Sequence, residues 1–104
     1  MPVIRMESEH VVDVEVQGTG VVLTIQGCLD QAAGEALVQA AARVVAEQAC
    51  RLEIDLCQLT GFTGDGACAL VACKELCVGL PDGLHYRTGQ GPGRDALLAA
   101  YADC

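Results

Sequence analysis

The sequence predicts an α/β domain, a small mixed β-sheet with helices packed on one face, in the order β-β-α-β-α-β-α. Three observations carry this expectation. Two early stretches have the apolar pattern of strands, and a short Gly-containing segment joins them as a hairpin turn. Helical and strand periodicities then alternate, which implies right-handed crossovers and mostly parallel pairing after the hairpin. Residues 51–57 place Leu52, Ile54 and Leu56 on one side and Glu53 and Asp55 on the other. A parallel strand covered on both faces reads as continuous apolar residues. This alternation therefore implies helices on one face and water, at least partly, on the other.

The elements follow in order. Residues 12–16 (Val-Asp-Val-Glu-Val) alternate strictly and form a strand with one buried face. Residues 17–20 make the turn, and residues 21–26 a second strand with Val21, Leu23 and Ile25 on one side. Asp30 suits the N-cap of the next element. A helix is predicted over 31–48, with Leu37, Val38, Ala41, Val44, Val45 and Gln48 on one face and Glu35, Gln39, Arg43 and Glu47 on the other. After the strand at 51–57, residues 58–66 read as a loop holding Gly61, Gly64 and Gly66. A second helix is predicted over 65–79, a turn at 81–83 and a short strand at 84–88. Gly89-Gln90-Gly91 then opens a last helix over 93–102, with Pro92 suited to its first position.

Composition bounds the function. The 104 residues fit one domain, 1–104. Apolar residues are 52% and aromatics only 3%, so the core is aliphatic and stacking platforms for single-stranded nucleic acid are scarce. Six basic residues stand against fourteen acidic ones, a net charge of −8, and the basic ones are scattered. Phosphate backbones need clustered cations, so neither nucleic acid nor an anionic membrane is an expected partner. A basic or neutral protein surface is the better fit. No apolar run is long enough to span a bilayer, so direct membrane insertion is not expected. Residues 1–10 lack a signal peptide's apolar stretch, and a cytoplasmic location is expected. Seven cysteines, an odd number without a Cys-x-x-Cys pair, argue against a disulfide framework. They read as small buried hydrophobes in a reducing compartment.

Several possible sites are weak. Cys73 and Cys77 stand four residues apart, but Cys68 points away from them and the four ligands of a zinc site do not assemble. Gly89-x-Gly91-x-Gly93 has the spacing of a phosphate loop without the Gly-Lys-Ser/Thr that completes one. The only serine is Ser8, and His85 has no evident nucleophile beside it. No cofactor and no enzymatic activity are expected.

The second helix is the most informative element. Gly66, Ala69, Leu70, Cys73, Leu76, Cys77 and Leu80 share its buried face. Ala67, Cys68, Val71, Lys74, Glu75 and Val78 lie opposite. Ala67, Val71 and Val78 are apolar on a side that should be wet. Either the helix is buried more deeply, or these residues form a partner-binding face.

Gly27-Cys28-Leu29-Asp30, then a helix, then Glu53-Ile54-Asp55-Leu56, then Leu59-Thr60-Gly61-Phe62-Thr63-Gly64-Asp65-Gly66-Ala67 resembles a STAS domain, the anti-sigma factor antagonist module. The resemblance runs from about residue 12 to residue 101 and rests on the joint order of short motifs. It implies a small mixed sheet with helices on one side. It also implies a protein partner, an anti-sigma factor or related kinase-type ATPase. In bacterial antagonists that kinase phosphorylates a serine at the start of the second helix and then no longer binds. Asp30, Asp55 and Gly66 match the family pattern. Thr63 stands at the family's Asp position, and Gly64 at the phosphoacceptor position, where it has no hydroxyl to modify.

Three readings stay open here. Thr63 or Thr60 is a displaced acceptor; Asp65 is a fixed charge standing in for a phosphate; or the domain is an unswitched interaction module. Asp65 also suits a helix start through the macrodipole alone. The expected function is a non-enzymatic interaction module docking through Asp30, Thr60, Thr63, Gly64, Asp65, Ala67, Val71 and Val78. The alternatives are a STAS-like accessory subunit of a membrane transport complex and a small-molecule or nucleotide sensor using the Gly-rich loops. The sequence leaves the oligomeric state, a homodimer included, open.

Overall fold

The computed structural model describes residues 12–104. The signal-peptide reading of residues 1–10 lies outside them. The hairpin forms as expected, from β1 (Val12–Gln17) and β2 (Gly20–Leu29), turned at Gly18 with φ 60°. There follow α1 (Gln31–Ala46), β3 (Arg51–Phe62), α2 (Gly64–Leu76), a single 3-10 turn (Cys77–Gly79), β4 (Gly83–Arg87) and α3 (Pro92–Asp103). The sheet order is β1-β2-β3-β4. β1 runs antiparallel to β2, and the β2–β3 and β3–β4 pairs are parallel. The element order and mixed sheet are those the sequence predicts.

One face of the sheet makes the core. Leu23, Ile25, Leu29, Leu52, Ile54, Leu56 and Leu84 meet Leu37, Ala41 and Val44 of α1, Leu70 and Cys73 of α2, and Ala96 and Ala100 of α3. Each fully buried Leu or Ile stabilises the fold by roughly 1.5–3 kcal/mol relative to exposure. The other face is polar. Glu53 is held between Arg87 at 3.2 Å and Arg51 at 3.7 Å, in partly exposed pairs worth about 0–1 kcal/mol each.

Four expectations need correction. First, residues 58–62 are strand, not loop. β3 stays paired with β2 as far as Phe62, but the register shifts between Thr24 and Gln26 and again between Gly27 and Cys28. Leu56 and Leu59, three apart, are therefore both buried, and the two-residue period that betrays a strand is lost. Second, α1 stops at Ala46, and Gln48, placed on its buried face, is exposed at a left-handed φ of 62°.

Third, the apolar face of β1 is largely uncovered. Val14 is 56% and Val16 71% exposed. Both point to the helix side of the sheet, because their cross-strand partners are the buried Leu23 and Val21. α1 lies over β2 and leaves a trough along the edge strand.

Fourth, the cysteines are not uniformly core filler. Cys68 and Cys104 form a disulfide with Cα atoms 5.6 Å apart, tying α2 to the residue just beyond α3. Cys28 and Cys57 are exposed, Cys50 is half-buried, and only Cys73 and Cys77 are buried. Burial pushes the Cys73 thiol up to about 12 and raises that of Cys77. The Cys57 thiol is also raised, chiefly by its hydrogen bond with Asp55. Brief alkylation of the native protein near pH 8, read by peptide mass spectrometry, is expected to label Cys28 first and Cys57 more slowly. Cys73 and Cys77 should react only after denaturation. Rapid labelling of Cys73 in the native state would contradict this packing.

Candidate functional site

Two helix starts converge at the carboxyl ends of β2 and β3. Asp30 caps α1, its Oδ1 accepting from the Ala33 N–H at 2.9 Å. Thr63 caps α2, its Oγ1 accepting from the Gly66 N–H at 3.1 Å. Each cap contributes about 1 kcal/mol. The Thr63 N–H in turn donates to the Leu29 carbonyl at 3.0 Å, fastening the start of α2 to the end of β2. Thr63 is thus a cap with its hydroxyl engaged. Asp65 sits one residue after Gly64 in the first turn of α2, where a carboxylate favours the positive end of the helix dipole.

Small residues make this convergence possible. A Cβ on Gly66 would overlap the Leu29 carbonyl oxygen and come within 2.8 Å of the Asp30 oxygen. A Cβ on Gly34 would come within 3.0 Å of the Ala69 Cβ and 3.3 Å of the Gly66 Cα. A glycine inside a helix costs roughly 0.5–1 kcal/mol relative to alanine. The close crossing of α1 and α2 explains why Gly34 stands there. Beside the crossing lies a shallow groove of about 410 Å³, lined by Gln31, Gly34, Glu35, Val38, Gln39, Asp65 and Ala69.

The residues expected from the sequence divide. Asp30, Thr63, Gly64 and Asp65 come together on one exposed surface. Thr60 is exposed on β3, three residues before the cap. Ala67, expected at a docking face, is buried, 1% exposed. Its side of α2 is covered by α3, which the Cys68–Cys104 bridge also joins. Val71 is half-buried for the same reason. Val78 is 82% exposed but lies in the turn beyond the far end of α2, about 20 Å of helix from Gly64. Leu76, placed on the buried face, is 39% exposed. The α1 wall of the groove, Gln31, Glu35, Val38 and Gln39, was not legible as a site. A glycine at position 34, inside the predicted first helix, was the one sequence signal for it.

Comparison with solved structures places the fold. The chain is similar to an anti-sigma factor antagonist from Mycobacterium paratuberculosis, at 27% identity and a TM-score of 0.70, over 86% of this chain and 77% of that one. It is also similar to the anti-sigma factor antagonist SpoIIAA in its unphosphorylated form, at 17% identity and a TM-score of 0.65, over 84% and 81% of the two chains. The chain has a STAS-like fold.

A third similar structure, Mglu, matches at 19% identity and a TM-score of 0.63, over 80% of this chain. The STAS-like chain spans only 20% of that Mglu chain, and the likeness is one of fold. No protein-family model matches the sequence, and no curated protein is significantly similar to it. Among the described residues, no helix of the STAS-like chain is long and apolar enough to cross a membrane.

Proposed function

We propose that this chain is a non-enzymatic interaction module of the anti-sigma factor antagonist type. It binds a kinase-type ATPase through the surface formed by Asp30, Thr63, Gly64 and Asp65 and the adjoining groove, without a serine phospho-switch. The observation that carries the reading is the exposed start of α2 in a STAS-like fold, with glycine where the resemblance puts the phosphoacceptor and a carboxylate one residue on.

A phosphate would add about −1.5 to −2 charges at that point of an interface. Since the resemblance makes that phosphate end binding, Asp65, a single charge one residue on, acts here as a docking group and not as a stand-in for the phosphate. The Thr63 Oγ1 accepts from the Gly66 N–H in capping α2, and modifying it would disturb that cap, which disfavours it as a displaced acceptor.

Gly64 offers a direct test of the missing switch. A Cβ there meets nothing within 4 Å, so Gly64→Ser fits without distortion. After incubation with the cognate kinase and ATP, intact mass should show phosphate on the Gly64→Ser variant and none on the native chain. A phosphate mapping to Thr63 or Thr60 of the native chain would overturn the unswitched reading.

A further inference from the structure

The two outer edges of the sheet differ in a way that the proposed docking surface does not use. Among the described residues, β1 and β4 each have a neighbour on one side only. Edge strands present free backbone N–H and C=O groups and invite pairing with another chain. Alternation assigns each side chain to a face. On β1, Val14 and Val16 stand on the helix face beside Leu23 and Val21, and Asp13 and Glu15 on the open face beside Thr24 and Val22. On β4, Leu84 and Tyr86 stand on the helix face beside Leu52 and Ile54, and His85 and Arg87 on the open face beside Glu53 and Asp55.

The two edges are therefore complementary. The open face is acidic at β1, and at β4 it carries Arg87 and His85. On the helix face both edges are apolar; β1 is uncovered, and at β4 Leu84 is buried and Tyr86 half-buried, its hydroxyl donating to the Leu70 carbonyl of α2 at 2.7 Å. Val14 and Val16 line the β1 trough, while Leu98 and Tyr101 of α3 are 59% and 55% exposed. α3 packs against β3 and α2, and the Tyr101 phenol neighbours that of Tyr86 on β4.

We infer that β1 of one copy pairs with β4 of a second copy of this chain, extending the sheet from molecule to molecule. Asp13 and Glu15 then meet His85 and Arg87 on the open face, and the exposed Val14 and Val16 lie beside Leu84 and Tyr86 on the helix face. The strand directions fit. β1 is antiparallel to β2, and β2, β3 and β4 are mutually parallel, so side-by-side copies in the same orientation bring β4 against β1 in antiparallel pairing. Pairing like with like is opposed, since β1 against β1 sets acid against acid and β4 against β4 sets cation against cation. A head-to-tail contact of this kind does not close on two copies, so it yields an open series rather than a dimer.

Analytical ultracentrifugation of the 104-residue chain tests this. The mass should climb past the dimer as concentration rises to about 1 mM, a range in which contacts of about −4 kcal/mol are populated. Glu15→Lys and Arg87→Glu should each sediment as monomers. An equimolar mixture of the two should associate again. The lysine introduced on β1 of one variant then faces the glutamate introduced on β4 of the other, while the native Arg87 and Glu15 meet at the alternate junction. Arg87 also pairs with Glu53. His85→Glu therefore serves as a second β4 variant, and circular dichroism melts confirm that every variant is folded. A wild-type chain that stays monomeric or stops at a dimer overturns the inference, as does a mixture of folded variants that does not recover association. Neither outcome bears on the Asp65 docking surface, which lies away from both edges.

Discussion

Replacing Gly66 by alanine should cost about 3 kcal/mol or more, and the variant should be largely unfolded at temperatures where the native chain is stable. The cause is backbone against backbone. The added Cβ would overlap the Leu29 carbonyl oxygen and crowd that of Asp30. Leu29 cannot retreat, because it is fully buried at the end of β2 and its carbonyl accepts from Thr63. Moving it would disturb both helix caps together. Neighbouring glycines supply the controls. Gly34→Ala meets side-chain and Cα atoms at 3.0–3.3 Å, and an alanine's helix preference of roughly 1 kcal/mol offsets part of that crowding. Gly64→Ala meets nothing within 4 Å and should be neutral. Urea denaturation should rank the three in that order. Equal stability of Gly66→Ala and Gly64→Ala would refute the close crossing of α2 over the end of β2.

Breaking the Cys68–Cys104 bridge has the second largest expected effect. The bridge closes a segment with a sequence separation of 36. In the chain-entropy account, such a cross-link stabilises by about 3–4 kcal/mol. For a domain of this size that corresponds to a fall of roughly 10–20 °C in Tm on reduction. Cys68→Ser and Cys104→Ser should each reproduce the reduced melting curve and be insensitive to reductant. The loss should be felt first where α3 covers Ala67 and Val71, so hydrogen exchange should quicken in α3 before it does in β2 or β3. Identical melting curves with and without reductant would contradict a stabilising bridge.

These two cases also mark what was legible beforehand. The alternation in residues 51–57 was enough to give a sheet covered on one face, because only a half-wet strand places Glu53 and Asp55 between Leu52, Ile54 and Leu56. Asp30 was legible as a cap, because a carboxylate before an apolar helical run has one strong local role. The continuation of β3 to Phe62 was not, since the register shifts put Leu56 and Leu59 out of phase with a strand. Ala67 was misplaced because a helix wheel shows one partner at a time. α2 is flanked by both α1 and α3, so a second stripe is buried. The Cys68–Cys104 pairing joins residues far apart in sequence, which local pattern does not reveal. Of the residues expected at a docking surface, those held by local geometry at a helix start lie together. Those assigned from the face of a helix do not.

The proposed docking of a kinase-type ATPase at the exposed α2 start rests on Asp65. Its most direct measurement is affinity capture from native lysate on the immobilised chain, run in parallel with Asp65→Lys, with the bound proteins identified and quantified by mass spectrometry. Position 65 is exposed, so the substitution reverses the charge and leaves the core alone. An ATP-binding, kinase-type protein should be held in stoichiometric amount by the native chain and lost at least tenfold, about 1.4 kcal/mol, on Asp65→Lys. No stoichiometric partner on the native chain, or the same protein held equally by both, would contradict docking at Asp65.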